Sequence, residues 1–294
     1  MRNCHGELSW SAAIGVLALV GLAGCSDDAR RPTGPAPPVF GECAEPRGFY
    51  RGNFTNPTRI DNRWFPLQPG KQFILDGTVN RGGVLVTHRV VFTVTDLTKE
   101  INGVRTAVLW DRDYNNGQLL EAELAFHAQD NEGNVWSVGE YPEEYQNGEF
   151  LGAPNTWIPG VAGAKAGILV PGTPQVGYVY LEGWAPDINF LDCAMIFATG
   201  QSACVPFNCY ENVLVIDESS PLEPGSGHQR KYYAPGVGNV QIGAVGDPEA
   251  ETLVLVNILQ LSPEALAAAH EEALKLEKRA YQISEVYRHT RPAQ

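Results

Sequence analysis

The stretch VRTAVLWDRDYNNGQLLEAELAFHAQ, Val104 to Gln129, is two strand-like runs around Asn116-Gly117. Asn-Gly suits a type I′ turn, whose central residues both need φ > 0, and such turns join antiparallel strands. A two-residue loop here pairs Arg112 with Glu121, Trp110 with Glu123 and Leu109 with Leu124. Side chains along a strand alternate between faces. Leu120, Ala122, Leu124 and Phe126 then share one face with Ala107 and Leu109, while Glu121, Glu123 and His127 share the other with Arg112. The spacing predicts one buried face and one wet face.

Outward from this hairpin the punctuation repeats. Asn102-Gly103, Asn147-Gly148, Arg81-Gly82-Gly83 and Asp130–Asn134 are further turns between strand-like runs. With 31 glycines and 21 prolines among 294 residues, a turn-rich β protein is expected. Strands are predicted near 71–79, 84–96, 104–114, 118–129 and 134–140, with a short hairpin at 142–152. They resume near 178–184, 190–198, 211–218, 228–234, 238–243 and 251–261. In the second, Val84, Val86, Val90, Phe92 and Val94 alternate, and His88 intrudes on their apolar face. Residues 153–177, carrying Trp157, read as a long Gly/Pro-rich loop folded across a sheet face.

The C-terminal pattern changes period. Ser262-Pro263-Glu264 is a helix start, with a side-chain cap, Pro in the first turn and an acid at the positive dipole end. Leu266, Ala269, Ala273, Leu276, Ala280, Ile283 and Tyr287 then recur at helical spacing. The expected fold class is mainly β, an antiparallel meander forming a curved sheet or incomplete barrel, with a C-terminal α-helix. The helix stripe packs on the sheet or docks a partner.

The N-terminal end carries the address. The apolar run Ala12–Ala23 spans about 18 Å as a helix, short of a ~30 Å hydrocarbon core. It suits a signal peptide. Leu22-Ala23-Gly24-Cys25 resembles the bacterial lipobox, which implies acylation of Cys25 as the first mature residue. Ser26 beside it resembles the outer-membrane sorting signal more than the Asp of inner-membrane retention. The expected organisation is a signal peptide (1–24), a lipidated cysteine and Pro-rich tether (25–45), a β domain (46–261) and an amphipathic helix (262–290). The lipid bilayer is then a partner through the acyl anchor. The net charge of −13 and the lack of a basic patch exclude nucleic acid as a partner.

Cys43, Cys193, Cys204 and Cys209 follow Cys25, and an oxidising compartment favours two disulfides. Three pairings are open. The turn Cys204-Val-Pro-Phe-Asn-Cys209 favours Cys204–Cys209, leaving Cys43–Cys193.

Asp111, Asp113 and Asn115 resemble the start of a calcium loop, but Gly117 falls one place late and position twelve is Ala122. Glu121, Glu123, Glu140, Glu143 and Glu144 offer carboxylates for glycoside hydrolysis. His88 is a core histidine or lines a ligand cavity. His127 has no nucleophile to serve, since no Gly-x-Ser-x-Gly occurs. No P-loop or His-Glu-x-x-His is present, and no cofactor is expected.

The segments WFPLQPGKQF (64–73), AQDNEGNVWSVGE (128–140), GVAGAKAGILVPGTPQVG (160–177) and KYYAPGVGNV (231–240) resemble a family of uncharacterised secreted bacterial proteins and lipoproteins. The resemblance implies a recurring exported β module without an assigned activity, and singles out Trp136, Glu140 and Trp157 as positions to test. The leading expectation is a membrane-anchored, non-enzymatic binding or envelope-interaction module. It holds an apolar ligand or envelope protein, with His88, Trp136, Glu140 and Trp157 as ligand contacts. The alternatives are a carbohydrate-active hydrolase using the 121–144 carboxylates and a surface protein that docks through its C-terminal helix.

Overall fold

The structure is a computed structural model that describes residues 41–46 and 48–294. The signal segment 1–24, the lipidation position Cys25 and the tether as far as residue 40 lie outside the described residues. Thirteen strands and one long helix follow in order: β1 (Lys71–Arg81), β2 (Val84–Ile101), β3 (Val104–Asn115), β4 (Gln118–Gln129), β5 (Val135–Gln146), β6 (Glu149–Gly152), β7 (Lys165–Val170), β8 (Val179–Ala185), β9 (Phe190–Cys204), β10 (Cys209–Ser219), β11 (His228–Ala234), β12 (Gly238–Val245), β13 (Thr252–Gln260) and α1 (Pro263–Ile283).

The pairings run β4-β3-β2-β1-β13-β12-β11-β10-β9-β8-β7-β5, and β4 pairs back onto β5. The sheet is therefore a closed antiparallel barrel. Only β6, hydrogen-bonded to β5 alone, stands outside the ring. Closure removes the sheet edges that an incomplete barrel would leave unpaired.

The Asn-Gly turns take their expected backbone. Asn102, Asn116 and Asn147 have φ of 47°, 49° and 54°, and the glycines after them are also positive. The register next to the second of these turns departs from the simple reading. Asn115 opposes Gln118 and Tyr114 opposes Leu119, but Asp113 opposes Glu121, so Leu120 is an extra residue in a β-bulge. Beyond it Arg112 faces Ala122, Asp111 faces Glu123, and Trp110 faces Leu124. The pairings of Arg112 with Glu121, Trp110 with Glu123 and Leu109 with Leu124 are thus each displaced by one. Because faces alternate, the displacement puts Asp111 and Glu123 on the same side as Leu109, inside the ring. The face expected to be wet is the barrel interior.

The apolar face of this hairpin points outward and is covered by α1. The ring of Phe126 lies 6.2 Å from that of Tyr287, which also packs on Tyr141 at 5.2 Å. Ser262 caps the helix by accepting from the amide of Ala265 at 3.2 Å. Ala269, Ala273, Leu276 and Ala280 are buried. The stripe from Ala269 to Ala280 is covered by the chain's own sheet, while Ile283 at its end is exposed.

The segment 153–177 is not one loop. Its second half forms β7, which pairs Trp136 with Ile168 on one side and Ala166 with Gly183 on the other. The first half crosses β5 and pairs Trp157 with Glu140 through two backbone hydrogen bonds of 3.0 and 3.1 Å. Cys43 is bonded to Cys193 and Cys204 to Cys209. No described helix is long and apolar enough to cross a membrane.

A buried ion pair locks α1 in place. Lys99, fully buried on β2, donates to Glu277 Oε1 at 2.6 Å, the Tyr281 hydroxyl at 3.0 Å and the Arg291 carbonyl at 2.7 Å. Burial pushes the Lys99 amine down, and Glu277 opposes that shift. Removing one partner of such a pair strands the other charge, at a cost of about 3–5 kcal/mol. Glu277→Ala is expected to lose stability on that order in chemical denaturation. Lys99→Met combined with Glu277→Leu should lose less than the single change. A double variant that is worse than Glu277→Ala would contradict the pairing.

Candidate functional site

The barrel interior holds a pocket of about 370 Å³ that is open on part of its boundary. Every ring strand except β13 contributes a side chain or backbone to its wall, together with Phe65–Leu67 ahead of β1. The wall has two chemistries. Phe65, Phe73, Phe92, Leu109, Leu169 and Phe190 supply apolar surface. Asp111, Glu123, Glu140, Glu182, Asp192 and Glu218 supply six carboxyl groups. Among the described residues, Lys231 is the one lysine or arginine that lines it.

Carboxyl groups away from water favour their neutral form. Burial, reinforced by Glu140 and Glu121, pushes Glu123 well above its ordinary value. Burial raises Glu140 to about 7, and Asp192 adds to the rise. Burial also raises Asp111, Glu182 and Asp192. Glu218 rises to about 7, from burial and from Asp192 and Asp217, despite the opposing amine of Lys231. Glu121, just off the wall, rises to about 7 through burial and the charges of Glu140, Asp113 and Glu144.

The six form two groups. On one side Glu123 and Glu140 are close enough for one carboxyl to hydrogen-bond the other. Trp157 stands over this pair. Its indole N–H has no well-aligned acceptor, yet lies close enough to Glu140 to lower its pKa. Two glycines make room for Trp157. A Cβ on Gly139 would stand 2.6 Å from the Trp157 carbonyl oxygen, and one on Gly183 would stand 3.0 Å from the indole ring. The indole stacks on Phe190 with centroids 5.5 Å apart.

On the other side Lys231 pairs with Glu218, near Glu182 and Asp192. Burial works against the charge on Lys231, but Glu218, Tyr233 and Glu182 outweigh it and hold its pKa well up. Glu182 and Glu218 each keep one carboxyl oxygen with no hydrogen-bond partner among the described residues. Nδ1 of His127 is also unpartnered, and burial pushes this ring down to about 4, so it is neutral.

The sequence candidates are distributed unevenly. Glu140 lines the cavity, and Trp157 pairs with it from the crossing segment without lining the cavity itself. Trp136 faces away: its indole donates to Asp130 Oδ2 at 2.8 Å and packs on Phe49 and Phe54. His88 is a separate inward cluster. Its Nδ1 lies 2.7 Å from Asn115 Oδ1 and 3.2 Å from Asp113 Oδ1, and its Nε2 lies 2.8 Å from Glu251 Oε1. Burial alone would lower this ring, but Asp113 and Glu251 raise it to about 10. The Asn115 amide also fits turned round, with its oxygen 3.2 Å from Arg81 Nε. A charged ring between two carboxylates favours Oδ1 facing Nδ1. Asp113 and Asn115 are therefore occupied by His88, while Asp111 lines the cavity. No cluster of three or more metal-binding side chains exists among the described residues.

Glu182, Asp192, Glu218 and Lys231 escape a motif search because they sit on four different strands. The available signal was local: Glu182 interrupts the otherwise apolar run Val179-Tyr-Leu-Glu-Gly-Trp-Ala185, and its neighbours on both sides are buried.

No family model matches the chain, and no curated protein does. Two solved structures share a distant likeness. One is a Bacteroides fragilis protein described as exported with a YmcC-like fold, at 16% identity and a TM-score of 0.35, covering 67% of this chain and 99% of its own. The other is described as a lipoprotein, from Parabacteroides distasonis, at 14% identity and a TM-score of 0.31, with the same coverage. Scores this low carry no functional argument.

The shifted carboxyls set the pH dependence of stability. An acid held near 7 in the fold and near 4.5 in the unfolded chain binds more protons when folded at any pH between those values. Its contribution is complete below about 4.5 and is lost as pH rises through about 7. His127 opposes this between about 4 and 6.5, because the unfolded chain binds its proton first. His88 adds a further loss between 6.5 and about 10. Three glutamates outweigh one histidine, so stability should fall between pH 5 and pH 8. Glu218→Gln should flatten the fall between pH 5 and 7. A rise in melting temperature over this interval would contradict the reading.

Proposed function

We propose that this chain is a lipid-anchored, non-enzymatic binding protein of a bacterial envelope, and that it holds a small ligand inside its barrel. The observation that carries the reading is the pocket inside the barrel, which unites aromatic walls with buried polar atoms that have no hydrogen-bond partner among the described residues. Buried polar groups in folded proteins are nearly always hydrogen-bonded, and ligand pockets are a place where exceptions gather. The cavity accepts a molecule with an apolar body and a polar end rather than a purely apolar one. Trp157 on its crossing segment forms part of the enclosure around Glu140.

The anchor belongs to the same reading. Cys25 follows a short apolar run, and acyl chains there would hold the barrel at a bilayer, on the outer membrane by the identity of Ser26. More than one chain is needed for stable attachment, and bacterial lipoproteins carry more than one.

Hydrolysis of a glycan is the weaker reading. Paired glycosidase carboxyls stand about 5–10 Å apart so that the scissile bond fits between them. Glu123 and Glu140 are close enough to share a hydrogen bond, a spacing unlike that of such a pair.

Native mass spectrometry of protein purified without detergent is expected to show a bound small molecule. Ala125→Phe, which intrudes on the cavity wall, should abolish its retention without abolishing the fold. An empty wild-type barrel that also takes up no fluorescent amphiphile would overturn the proposal. In parallel, labelled palmitate should mark the wild-type chain and not Cys25→Ser. Equal labelling of both would remove the anchor.

A further inference from the structure

We infer that the ligand of this cavity is a small organic cation, an ammonium or guanidinium group on an apolar stem, seated against Glu182 and Asp192. The inference rests on the reading of the barrel as a binding site and adds the charge of the ligand.

The first observation is the imbalance of charge. Six carboxyl groups line the wall against one lysine, and that lysine is already paired with Glu218. Lys231 lies near Glu182 and Asp192 as well, but one ammonium already bonded to Glu218 cannot match three carboxyl groups. The second observation is independent of charge counting. Glu182 and Glu218 are each only 5% exposed and line the cavity, yet Oε1 of each has no partner among the described residues. A carboxyl in this position must keep a proton or find a counter-charge, because an isolated buried carboxylate is too costly to maintain. The chain satisfies this condition elsewhere. His88 is held between Asp113 and Glu251, and Lys99 is held by Glu277. In the cavity one lysine faces six carboxyl groups, so among the described residues counter-charge is short there.

The alternatives fit less well. An anion would meet carboxyl groups and a lysine that is not free. A divalent metal needs three or more oxygen ligands converging at one point, and no such cluster exists among the described residues. A cation also suits the apolar wall. Phe73, Phe92 and Phe190 offer ring faces for an ammonium and contact surface for its stem. The volume of about 370 Å³ accommodates a chain of several carbons beside the head.

The test compares three probes that share one stem and differ in the head: octylammonium, 1-octanol and octanoate. Binding to the full lipidated chain in lipid nanodiscs is measured by calorimetry, with empty nanodiscs as the blank. Octylammonium should bind about tenfold or more tighter than octanol, with octanoate weakest. Glu182→Gln should remove most of that margin and leave octanol unchanged, and Asp192→Asn should act in the same direction. Equal binding of octylammonium and octanol would overturn the cationic assignment while leaving the barrel a binding site. Preference for octanoate would do the same. Failure of all three probes to bind would overturn both readings.

Discussion

Closure of the sheet leaves each strand residue two destinations, the enclosed interior or the outer face, and one inserted residue decides which group goes where. Leu120 is that residue. Without its bulge, Asp111 and Glu123 would lie on opposite faces of the β3–β4 pair. With it they lie together, inside, beside Leu109 and Ala125. The carboxyl groups on the β3–β4 side of the cavity follow from that placement. The same step turns Ala122, Leu124 and Phe126 outward, which is why the barrel needs α1 as a cover.

The interior is unusual in what it lacks. A closed barrel of this size normally fills its centre with apolar side chains or keeps a ligand space. Here two apolar clusters flank the space, and carboxyl groups occupy part of the wall between them. Buried charge in the rest of the molecule is compensated: Arg279 reaches Glu143, Lys99 reaches Glu277, and Asp113 with Glu251 reaches His88. Stability alone offers no reason to retain buried acids with an unpartnered oxygen at Glu182 and Glu218, because apolar residues of similar volume would fold at lower cost. A ligand that supplies the missing partner gives one.

Much of the architecture was legible in residues that punish every alternative backbone. Asn116-Gly117 and its two counterparts mark hairpins because few other pairs take positive φ twice. Ser262-Pro263-Glu264 marks the helix start, and the alanine stripe after it marks the packed face. The strand at Lys165–Val170 was hidden because it lies among glycines and prolines and is held by pairing with β5 and β8 rather than by local preference. The interior acids were hidden for another reason. Glu121 and Glu123 alternate with apolar residues in the same way on a solvated face and on the inner face of a barrel. Only the bulge and the closure distinguish the two; the bulge has no residue signature beside the turn, and the closure depends on residues far along the chain. Of the four residues expected at a ligand, Glu140 lines the cavity with Trp157 paired beside it, His88 is engaged by its own pair of acids, and Trp136 is bound to Asp130.

The central claim is that acids buried inside the barrel hold their protons well above the usual carboxyl range. Carbon-13 NMR of glutamate-labelled protein, followed from pH 3 to pH 9, reads this directly from the side-chain carboxyl shifts. The account predicts a separate set of resonances that titrates near pH 7 or above and that loses a member in Glu140→Gln and another in Glu218→Gln. Titration of every glutamate between about 3.5 and 5, as in solvated side chains, would contradict it.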